Sequence, residues 1–227
     1  MLTQAFLEAY QHQIALWGVE VDEHWYQLLS RTFPSLDGRL FRDSILRLDF
    51  AELLGGQPFG LVGNLPYNIA SQIILKAVES QHLIPEIAGT FQLEVAQRLI
   101  AEPGSRQYGL LSIMFQASYQ VKLCFRLPPG AFAPPPRVHS AVVRGIRKPP
   151  RKGEEIPYHW MLTVVKQAFQ QRRKKLSNNL KAYRHHVEAF DNQLLDKRPE
   201  TISPGVYVQL ARYIGLAENW SQGSIEG

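Results

Sequence analysis

The sequence predicts an open α/β sheet with right-handed crossovers, followed by a small all-α domain. Up to residue 119, short apolar runs alternate with stretches of helical spacing, which is the pattern of strands joined by helices. Two β-like runs then flank a proline-rich stretch, and the rest of the chain has helical spacing. Because 45% of the 227 residues are apolar, the chain has enough hydrophobic side chains for a substantial core.

The first part of the chain is predicted to alternate between helix and strand. The elements in chain order are a helix, a buried strand, a helix, a weak strand and a second buried strand: Thr3–Tyr10, Ile14–Val19, Glu23–Thr32, Arg39–Arg42 and Phe59–Gly63. A further helix should end near Glu79, with Asn68 or Ser71 as its N-cap, because both side chains can accept hydrogen bonds from free backbone N–H groups. One strand and two helices follow: Ile87–Phe91, Glu94–Ala101 and Tyr108–Tyr119.

The second part of the chain changes character. Two β-like runs, Leu123–Leu127 and Ser140–Ile146, flank the extended stretch PPGAFAPPPRV, and a hairpin that closes one edge of the sheet fits this pattern. The segment RKPPRKGEE has the composition of a linker. Helical spacing returns in three segments, the last of which has a serine N-cap followed by proline: Tyr158–Lys181, Leu194–Asp196 and Ser203–Ile214. We therefore expect a first domain at residues 1–150, a helical domain at 151–217 and a frayed tail at 218–227.

Several classes of protein are disfavoured by the composition. The single cysteine, Cys124, excludes an internal disulfide framework and fits a reducing compartment. No cysteines and histidines have zinc-site spacing along the sequence, so we expect no metal. No run approaches the roughly 18 apolar residues of a membrane-spanning helix, and the N-terminus lacks a signal-peptide pattern. A cytoplasmic protein is the resulting prediction.

The charge of the chain is unevenly distributed. Residues 1–140 contain 10 Lys/Arg against 12 Asp/Glu, whereas residues 141–227 contain 15 against 8. This asymmetry indicates a near-neutral working domain and a basic docking end. Nucleic acid is the usual polyanionic partner of such an end, and a solvated basic surface is the alternative.

The stretch FGLVGNLPYNIASQI places an unusual sequence after a buried strand. Ligands of open α/β sheets bind beyond the carboxyl ends of the strands, where Asn64 to Tyr67 are expected. Asn64 offers an amide oxygen to an exocyclic N–H group, Pro66 fixes the loop and removes a backbone donor, and Tyr67 offers a flat face for stacking. These properties suit a planar base with an amino group, such as adenine. A tight strand-to-helix turn with Tyr67 packed over it is the alternative interpretation.

Three further residues are candidates for binding a nucleotide. Glu20 ends the first strand candidate, where a carboxylate can accept the two hydroxyls of a ribose, although Asp22 and Glu23 also suggest a charge in the first turn of a helix. Asp43 follows the next strand candidate and can accept from an adenine amino group. Phe132 stands in a rigid proline frame that suits stacking on a flipped-out base, with a core phenylalanine under a loop as the alternative.

The stretch QRRKKLSNNLK forms the most basic part of the chain. Five cations lie within ten residues: Arg172, Arg173, Lys174, Lys175 and Lys181. Arg184, His185 and His186 extend this cluster. On a helix these residues make a wide basic face that can contact several phosphates of RNA or DNA, and a solvated helix face is the alternative.

Taken together, these motifs resemble the small-subunit ribosomal RNA adenine dimethyltransferases, the KsgA/RsmA family. The resemblance runs from about Leu2 to about Leu216 and is based on GNLPYNIASQI, EVAQRL, PGSRQYGLLS, PPGAFAPPPRVHSAVVR, QAFQQRRKKLSNNLK and DKRPETIS, in the same order as in the family. It implies a Rossmann-like class I methyltransferase domain and a helical C-terminal RNA-binding domain. It also implies transfer of methyl groups from S-adenosylmethionine to N6 of two adjacent adenines in a hairpin loop near the 3′ end of small-subunit rRNA, during maturation of the pre-30S subunit. We expect the chain to act as a monomer.

The resemblance also implies roles for individual residues. Asn64 and the carbonyl of Leu65 would hold the N6 amine in the loop shaped by Pro66. Tyr67 and Phe132 would stack on the flipped base. The cofactor-binding residues implied are Glu20 for the ribose, Asp43 for the adenine amine, and Asn64. The basic residues at 172–175 and Lys181 would bind RNA.

One departure from the family pattern concerns the cofactor. The family's glycine-rich loop, E-x-G-x-G-x-G, lies just before the segment that matches Leu2-Thr3-Gln4, whereas this sequence begins at Met1. We therefore expect the first strand and the glycine-rich loop to be missing, and cofactor binding by this chain to be poor or absent. A gene fragment or a wrongly placed start is the favoured explanation.

Two alternatives to the methyltransferase hypothesis remain. A non-catalytic RNA-binding ribosome-assembly factor would combine the basic C-terminal half with a lost cofactor site. A DNA adenine methyltransferase would use a related Asp/Asn-Pro-Pro-Tyr motif, but Leu65 in place of the first proline and the RRKK segment argue against it.

Overall fold

The computed structural model describes residues 2–10, 14–149 and 156–220, which form two compact units, Met1–Phe59 and Gly60–Gly227. The predicted domain boundary at residue 150 and most of the predicted linker and tail fall outside the described residues, so the predicted division remains a prediction. Among the described helices, none has the length and apolar character needed to cross a membrane.

In its described residues, the first unit contains three α-helices and a two-stranded parallel sheet: α1 (Leu2–Tyr10), β1 (Gly18–Val19), α2 (Glu23–Thr32), β2 (Leu40–Phe41) and α3 (Phe50–Leu53). A 3-10 helix at Pro34–Leu36 lies between α2 and β2. In the register, Gly18 faces Leu40 and Val19 faces Phe41. The backbone N–H of Glu20 continues this pairing by donating to the carbonyl of Phe41 over 2.9 Å. The predicted bounds of α2 are confirmed, whereas β1 is shorter than predicted because pairing begins only at Gly18.

Side-chain caps explain where two helices of this unit begin. The carboxylate of Asp22 accepts from the N–H of Trp25 over 3.0 Å and caps α2, and Glu23 is the acid of its first turn. Asp49 caps α3 by accepting from the N–H groups of Ala51 and Glu52. The alternative interpretation of this stretch, a charge in the first turn of a helix, therefore holds for Asp22 and Glu23. Helix α3 was not predicted.

The second unit is built on a four-stranded sheet: β3 (Gly60–Asn64), β4 (Glu86–Gln92), β5 (Tyr119–Leu127) and β6 (Ser140–Arg147), with spatial order β3-β4-β6-β5. Strands β3 and β4 are parallel, and β6 is antiparallel to both of its neighbours. The register of β5 on β6 shifts between Leu123 and Phe125. The predicted hairpin at one edge of the sheet is confirmed.

Three helices of this unit accompany the sheet: α4 (Ala70–Glu79), α5 (Leu93–Leu99) and α6 (Leu110–Ser118). Residues of β4 alternate between buried and half-buried, with Ile87 and Phe91 in the core. The predicted N-cap of α4 is wrong: Ile69 occupies that position and contributes no side-chain hydrogen bond. The chain enters α4 instead through a turn in which the N–H of Ile69 donates to the carbonyl of Pro66 over 3.1 Å.

The C-terminal part of this unit is helical: α7 (Tyr158–Ala168), α8 (Leu176–Asn179), α9 (Arg184–Asp191) and α10 (Pro204–Ala217). Helix α10 packs against α6, α7 and α9. The predicted cap of this helix is confirmed, because the hydroxyl of Ser203 accepts from the N–H of Val206 and Pro204 is the first helical residue. The prediction of one helix from Tyr158 to Lys181 is wrong, since α7 ends at Ala168 and turns separate it from α8. Helix α9 was not predicted.

Candidate functional site

The stretch Asn64 to Tyr67 follows directly from the sheet. Asn64 is the last residue of β3 and lies opposite Thr90 of β4. Its side chain is exposed, and none of the described residues forms a hydrogen bond with its amide group. An exposed amide at the carboxyl end of a parallel strand can accept from, and donate to, an incoming ligand.

The side chain of Leu65 anchors this stretch to the sheet. Leu65 is only 7% exposed, and its two methyl groups lie against two glycines. A Cβ atom at Gly63 would stand 3.0 Å from one methyl carbon of Leu65, and a Cβ atom at Gly89 would stand 3.1 Å from the other. The absence of side chains at both glycines therefore makes the room in which Leu65 packs.

Tyr67 is tied to the start of a distant strand. Its hydroxyl lies 2.6 Å from the hydroxyl of Ser140, the first residue of β6. Ser140 is fully buried, so this hydrogen bond satisfies a polar group that water does not reach. The adjacent carbonyl of His139 accepts from the N–H of Leu93 over 2.9 Å. The chain that leads into β6 is thus held at two consecutive residues.

Phe132 lies in the predicted proline frame. A 3-10 turn at Pro129–Ala131 precedes it, and its N–H donates to the carbonyl of Pro129 over 3.2 Å. The phenyl ring is half-buried, and no ring of the described residues stacks on it. The peptide bond between Ala133 and Pro134 is cis. The ring of Phe132 therefore remains partly available from outside the chain.

In the first unit, Glu20 and Asp43 lie at one edge of the two-stranded sheet. Both follow the carboxyl ends of parallel strands, β1 and β2, and the carboxyl ends of parallel strands share an edge. Oε1 of Glu20 accepts from the N–H of Asp22 over 2.9 Å, which orients the carboxylate. Two carboxylates at this edge supply acceptors that fit the hydroxyl and amino groups of a nucleoside.

The environment of Asp43 keeps its carboxyl group ionised. The guanidinium of Arg47 donates to Oδ1 of Asp43 over 2.8 Å, and the N–H of Ser44 donates to the same oxygen. The Arg47 hydrogen bond, followed by the Ser44 hydrogen bond, holds the pKa of Asp43 below its usual range. Arg47 was missed in the sequence, although its position four residues after Asp43 is a known spacing for helical ion pairs.

The basic residues form a turn rather than a helix face. Residues 172–174 lie in the turns and bend between α7 and α8, and Lys175 precedes α8. The predicted wide basic helix face is therefore wrong in its geometry. The side chains of Arg173, Lys174 and Lys181 are exposed, and no ion pair or hydrogen bond joins them to any residue within the described ranges. This cluster, Arg172–Lys175 with Lys181, is called the basic turn below.

Two members of the basic turn are fixed by contacts within the unit. The guanidinium of Arg172 donates to the carbonyl of Ser105 over 3.0 Å. The ammonium of Lys175 lies 2.8 Å from a carboxylate oxygen of Asp196, and this hydrogen bond lowers the pKa of Asp196. Because the Lys175 pair is solvent-exposed, it orients the side chain more than it stabilises the fold.

A buried amide holds the basic turn in shape. Asn179 is 6% exposed and spans the turn with three hydrogen bonds. Its Oδ1 accepts from the N–H of Gln171 over 3.2 Å, while its Nδ2 donates to the carbonyls of Gln171 (3.1 Å) and Lys174 (3.4 Å). In the sequence, Asn179 is recognisable only as a neighbour of the cations, because no local pattern signals its burial.

A groove of about 680 Å³ lies beside Arg172. Its walls include residues of α4, α5 and the start of α6, together with the stretch before α6. Three arginines contribute to its lining: Arg98, Arg106 and Arg172. Arg98 is paired with Glu94. Arg106 and Arg172 form no ion pair within the described chain, so these two arginines give the groove its positive charge. A groove of this composition suits a polyanionic ligand.

Two solved structures share this fold. The chain is similar to a dimethyladenosine transferase from Plasmodium falciparum, with a TM-score of 0.68 and 18% identity over 88% of this chain and 80% of that one. It is also similar to the 23S rRNA methyltransferase ErmE, with a TM-score of 0.59 and 21% identity over 86% of this chain and 80% of that one. The fold is therefore that of a Rossmann-like methyltransferase, as predicted.

The chain belongs to the ribosomal RNA adenine dimethylase family, whose model matches residues 1–214. A relative from Parabacteroides distasonis named ribosomal RNA small subunit methyltransferase A is 41% identical over 211 residues, which cover 92% of this chain and 77% of that protein. A relative of the same name from Porphyromonas gingivalis is 37% identical over 212 residues, covering 92% of this chain and 81% of that protein. The predicted family is confirmed.

Proposed function

We propose that this chain is an S-adenosylmethionine-dependent rRNA adenine N6-dimethyltransferase. Its substrate would be two adjacent adenines in a hairpin loop near the 3′ end of small-subunit rRNA, modified during subunit maturation by a monomeric enzyme in the cytoplasm. The observation that carries the proposal is the exposed amide of Asn64 at the carboxyl end of β3, followed by an anchored leucine and a tethered tyrosine. This arrangement occurs in a member of the rRNA adenine dimethylase family.

The chain has hydrogen-bond acceptors that suit the hydroxyl and amino groups of a nucleoside cofactor. Glu20 would accept the ribose hydroxyls, and Asp43, already ionised beside Arg47, would accept from the adenine amine. The cofactor role that the family resemblance implies for Asn64, in the second unit, remains a prediction. When bound, S-adenosylmethionine supplies an electrophilic methyl group on a cationic sulfur that leaves as a neutral thioether.

The target amine would be positioned by two acceptors. The amide oxygen of Asn64 and the carbonyl of Leu65 would each accept a hydrogen bond from one N6–H group, which directs the nitrogen lone pair away from both acceptors and toward the methyl group. Pro66 lacks an N–H group, so the turn presents acceptors to the amine without a competing backbone donor at that residue. This assignment needs no strong base, because orientation and a cationic leaving group lower the barrier.

The flipped base would be held by aromatic faces. The Tyr67 ring is fixed through its hydroxyl on Ser140, so a base that stacks on it meets a surface already in place. Phe132 would provide the second face from the proline frame. Base–aromatic stacking is worth about 1–3 kcal/mol per base, which offsets the cost of taking the adenine out of its helix or loop stack.

The rRNA would be held by phosphate contacts at the basic turn. Arg173, Lys174 and Lys181 are free of described partners and are the first candidates for such contacts. The groove beside Arg172 would continue this positive surface toward α4, the helix that follows Tyr67. Each phosphate neutralised by the protein should contribute about one unit to the salt dependence of binding.

The central experiment measures methyl transfer from labelled S-adenosylmethionine to unmethylated small ribosomal subunits, both for this chain and for a version extended upstream in the genomic reading frame, because poor cofactor binding is expected without the glycine-rich loop. We expect Asn64→Ala to lower the rate by about 10²–10³-fold, the usual effect of removing a group that acts on the reacting atoms. Subunit binding should be unchanged. Asn68→Ala is the matched control, since Asn68 is an exposed amide in the same turn with no role in the proposal.

Other outcomes of this experiment would overturn the proposal in identifiable ways. If both the chain and its upstream-extended version bind subunits, but neither binds the cofactor or transfers methyl groups, the protein is an RNA-binding ribosome-assembly factor. Methylation of DNA adenines in preference to subunits would indicate the DNA enzyme. Equal loss in the Asn64 and Asn68 variants would mean that the turn, rather than the Asn64 amide, limits activity.

A second experiment tests the basic turn through salt. Binding to the subunit is measured at several salt concentrations for the wild type, Lys174→Ala and Lys175→Ala. Lys174 is free of described partners, so its loss should reduce the slope of log affinity against log salt by about one unit. Lys175 is paired with Asp196, so its loss should reduce the slope less. The reverse order would contradict the assignment of phosphate contacts.

A further inference from the structure

A cluster of three metal-ligating side chains lies on the helical part of the second unit. His185 and His186 belong to the first turn of α9, and Glu218 is the C-cap residue of α10. One ligand atom of each residue lies within 4.8 Å of the others. Glu218 is 32 residues from His186 along the chain, so only the fold brings this cluster together.

The donor atoms are close to the spacing that a metal ion requires. Nε2 of His186 lies 2.7 Å from Oε1 of Glu218, and the rings of His185 and His186 have centroids 3.7 Å apart. Ligand atoms about 2.0–2.1 Å from one ion stand roughly 2.8–3.4 Å apart, depending on whether they are cis in a square plane or tetrahedral. The three donor atoms lie within 4.8 Å of one another, so side-chain rotations can bring them to one ion, which would take the place of the hydrogen bond between His186 and Glu218.

The backbone around the cluster is well anchored. The N–H of Glu218 donates to the carbonyl of Ile214 over 2.8 Å, and the N–H of Trp220 donates to the carbonyl of Gly215 over 2.9 Å, which closes the end of α10. The indole of Trp220 then packs edge-on against Tyr183, with ring centroids 5.7 Å apart. Because Tyr183 immediately precedes α9, this contact fixes the start of α9 relative to the end of α10. Ligands carried by such anchored backbone need little reorganisation to bind an ion.

The electrostatic setting also permits a cation. The nearest basic residue in the sequence, Arg184, is paired with Glu188 over 2.9 Å, so part of its charge is compensated. The side chain of His186 is 14% exposed, which removes it from most solvent, while His185 and Glu218 remain open to the outside. The ion would thus enter from solvent and keep water as its remaining ligand.

We propose that His185, His186 and Glu218 form a binding site for a divalent transition-metal ion of the Zn²⁺ type. Two imidazoles and one carboxylate favour Zn²⁺, Ni²⁺ and Cu²⁺ over Mg²⁺ and Ca²⁺, which prefer sites made of oxygen atoms alone. A bound ion would cross-link α9 to α10. The site is separate from the residues proposed for methyl transfer, and it stands whether or not that proposal holds.

The experiment is a calorimetric titration of the tag-free chain with Zn²⁺, with Mg²⁺ as the comparison ion. We expect one Zn²⁺ per chain and no saturable heat with Mg²⁺. His185→Ala and Glu218→Gln each remove one exposed ligand and should weaken Zn²⁺ binding by at least about 10-fold. Removing a group that only hydrogen-bonds to a metal ligand already costs about that much affinity. Zn²⁺ should also raise the Tm of the wild type more than that of either variant.

Two controls separate this site from other metal-binding groups. His82→Ala removes an exposed histidine in another part of the unit, and Cys124→Ser removes the single thiol. Both variants should bind Zn²⁺ like the wild type. The proposal is overturned if the wild type shows no saturable Zn²⁺ binding, or if His185→Ala and Glu218→Gln both retain wild-type affinity. Circular dichroism of each variant verifies that the helices are retained.

Discussion

The three hydrogen bonds of Asn179 lead to a quantitative expectation. Asn179→Ala removes all three, and a neutral hydrogen bond contributes about 0.5–1.5 kcal/mol net. The contact to Lys174 is long at 3.4 Å and counts at the low end. Gln171 is exposed, so water can replace the lost partner at its backbone groups. We therefore expect the free energy of unfolding to fall by about 1.5–3 kcal/mol.

Urea denaturation followed by circular dichroism measures this loss directly. With a urea m-value of about 2–3 kcal/mol per M, the transition midpoint should fall by about 0.5–1.5 M. The neighbouring variant Asn178→Ala is the matched control, because Asn178 is exposed and has no described side-chain hydrogen bond. Its free energy of unfolding should stay within about 0.5 kcal/mol of the wild-type value, the usual effect of a surface substitution.

The same variant tests whether the shape of the basic turn matters for RNA. If Asn179 holds Gln171 to Lys174 in place, then Asn179→Ala should weaken subunit binding although it removes no charge. Loss of stability without loss of RNA affinity would confine Asn179 to a structural role. Equal stability of the Asn178 and Asn179 variants would refute the reasoning, because the three hydrogen bonds would then have no net effect.

Three further expectations concern other parts of the chain. Tyr67→Phe leaves the buried hydroxyl of Ser140 without its partner and should lower the free energy of unfolding, measured by urea denaturation, by about 1–3 kcal/mol. Methyl transfer should be kept, because the stacking face of the ring remains. A larger loss of methyl transfer than of stability would contradict this expectation. Gly215→Ala would push a methyl group into the indole of Trp160 and should lower the free energy of unfolding by about 1–3 kcal/mol. The control Gly205→Ala, at a helical position with open space, should be neutral or stabilising. Equal Tm values for the two variants would show that the indole relaxes freely. Because the pKa of Asp43 is lowered in the folded chain, ionised Asp43 stabilises the folded state above the ordinary carboxyl range, and this contribution disappears as the pH falls through the lowered pKa. The difference in urea midpoint between wild type and Arg47→Ala should therefore shrink from pH 7 to acid pH. A constant difference would contradict the pairing of Arg47 with Asp43.

Local signals along the sequence predicted much of the fold. The starts of α2 and α10 are governed by Asp22 and Ser203, whose capping bonds reach only three residues along the chain. The strands of the second unit were predicted from apolar runs bounded by polar and turn-forming residues. Helix α3 was missed because four residues are too few to show a helical period.

The error between Tyr158 and Lys181 has a clear physical origin. Leu176 and Leu180 are fully buried, so apolar residues recur at helix-like spacing through the turn. Helix α7 ends at Ala168, and the buried amide of Asn179 holds the turn that follows by bonding back to Gln171 and Lys174. A periodic pattern records which residues face the core, but it does not record a side chain that replaces helical hydrogen bonds.

The sequence predicted which residues belong to the candidate site, but it did not predict the contacts that those residues make. The place of Asn64 at the end of a strand followed from the apolar run before it. The hydrogen bond of Tyr67 to Ser140 joins residues 73 positions apart, and the pairing of Lys175 with Asp196 joins residues 21 apart. Such contacts depend on the arrangement of strands and helices in space, which no spacing along one sequence encodes.

At Leu65, the side chain and the backbone have different roles: the side chain packs in the core, whereas the proposed part in the reaction belongs to the backbone carbonyl. Its side chain fills the space above two glycines, while its proposed part in the reaction is made by a backbone oxygen that every amino acid possesses. A comprehensive substitution scan would therefore classify Leu65 among core positions, tolerant of shape-preserving replacements and intolerant of others. Activity lost at this position would track the displacement of the main chain, not the chemistry of the new side chain. The catalytic importance of such a position would go unnoticed in any survey that looks only for reactive side chains.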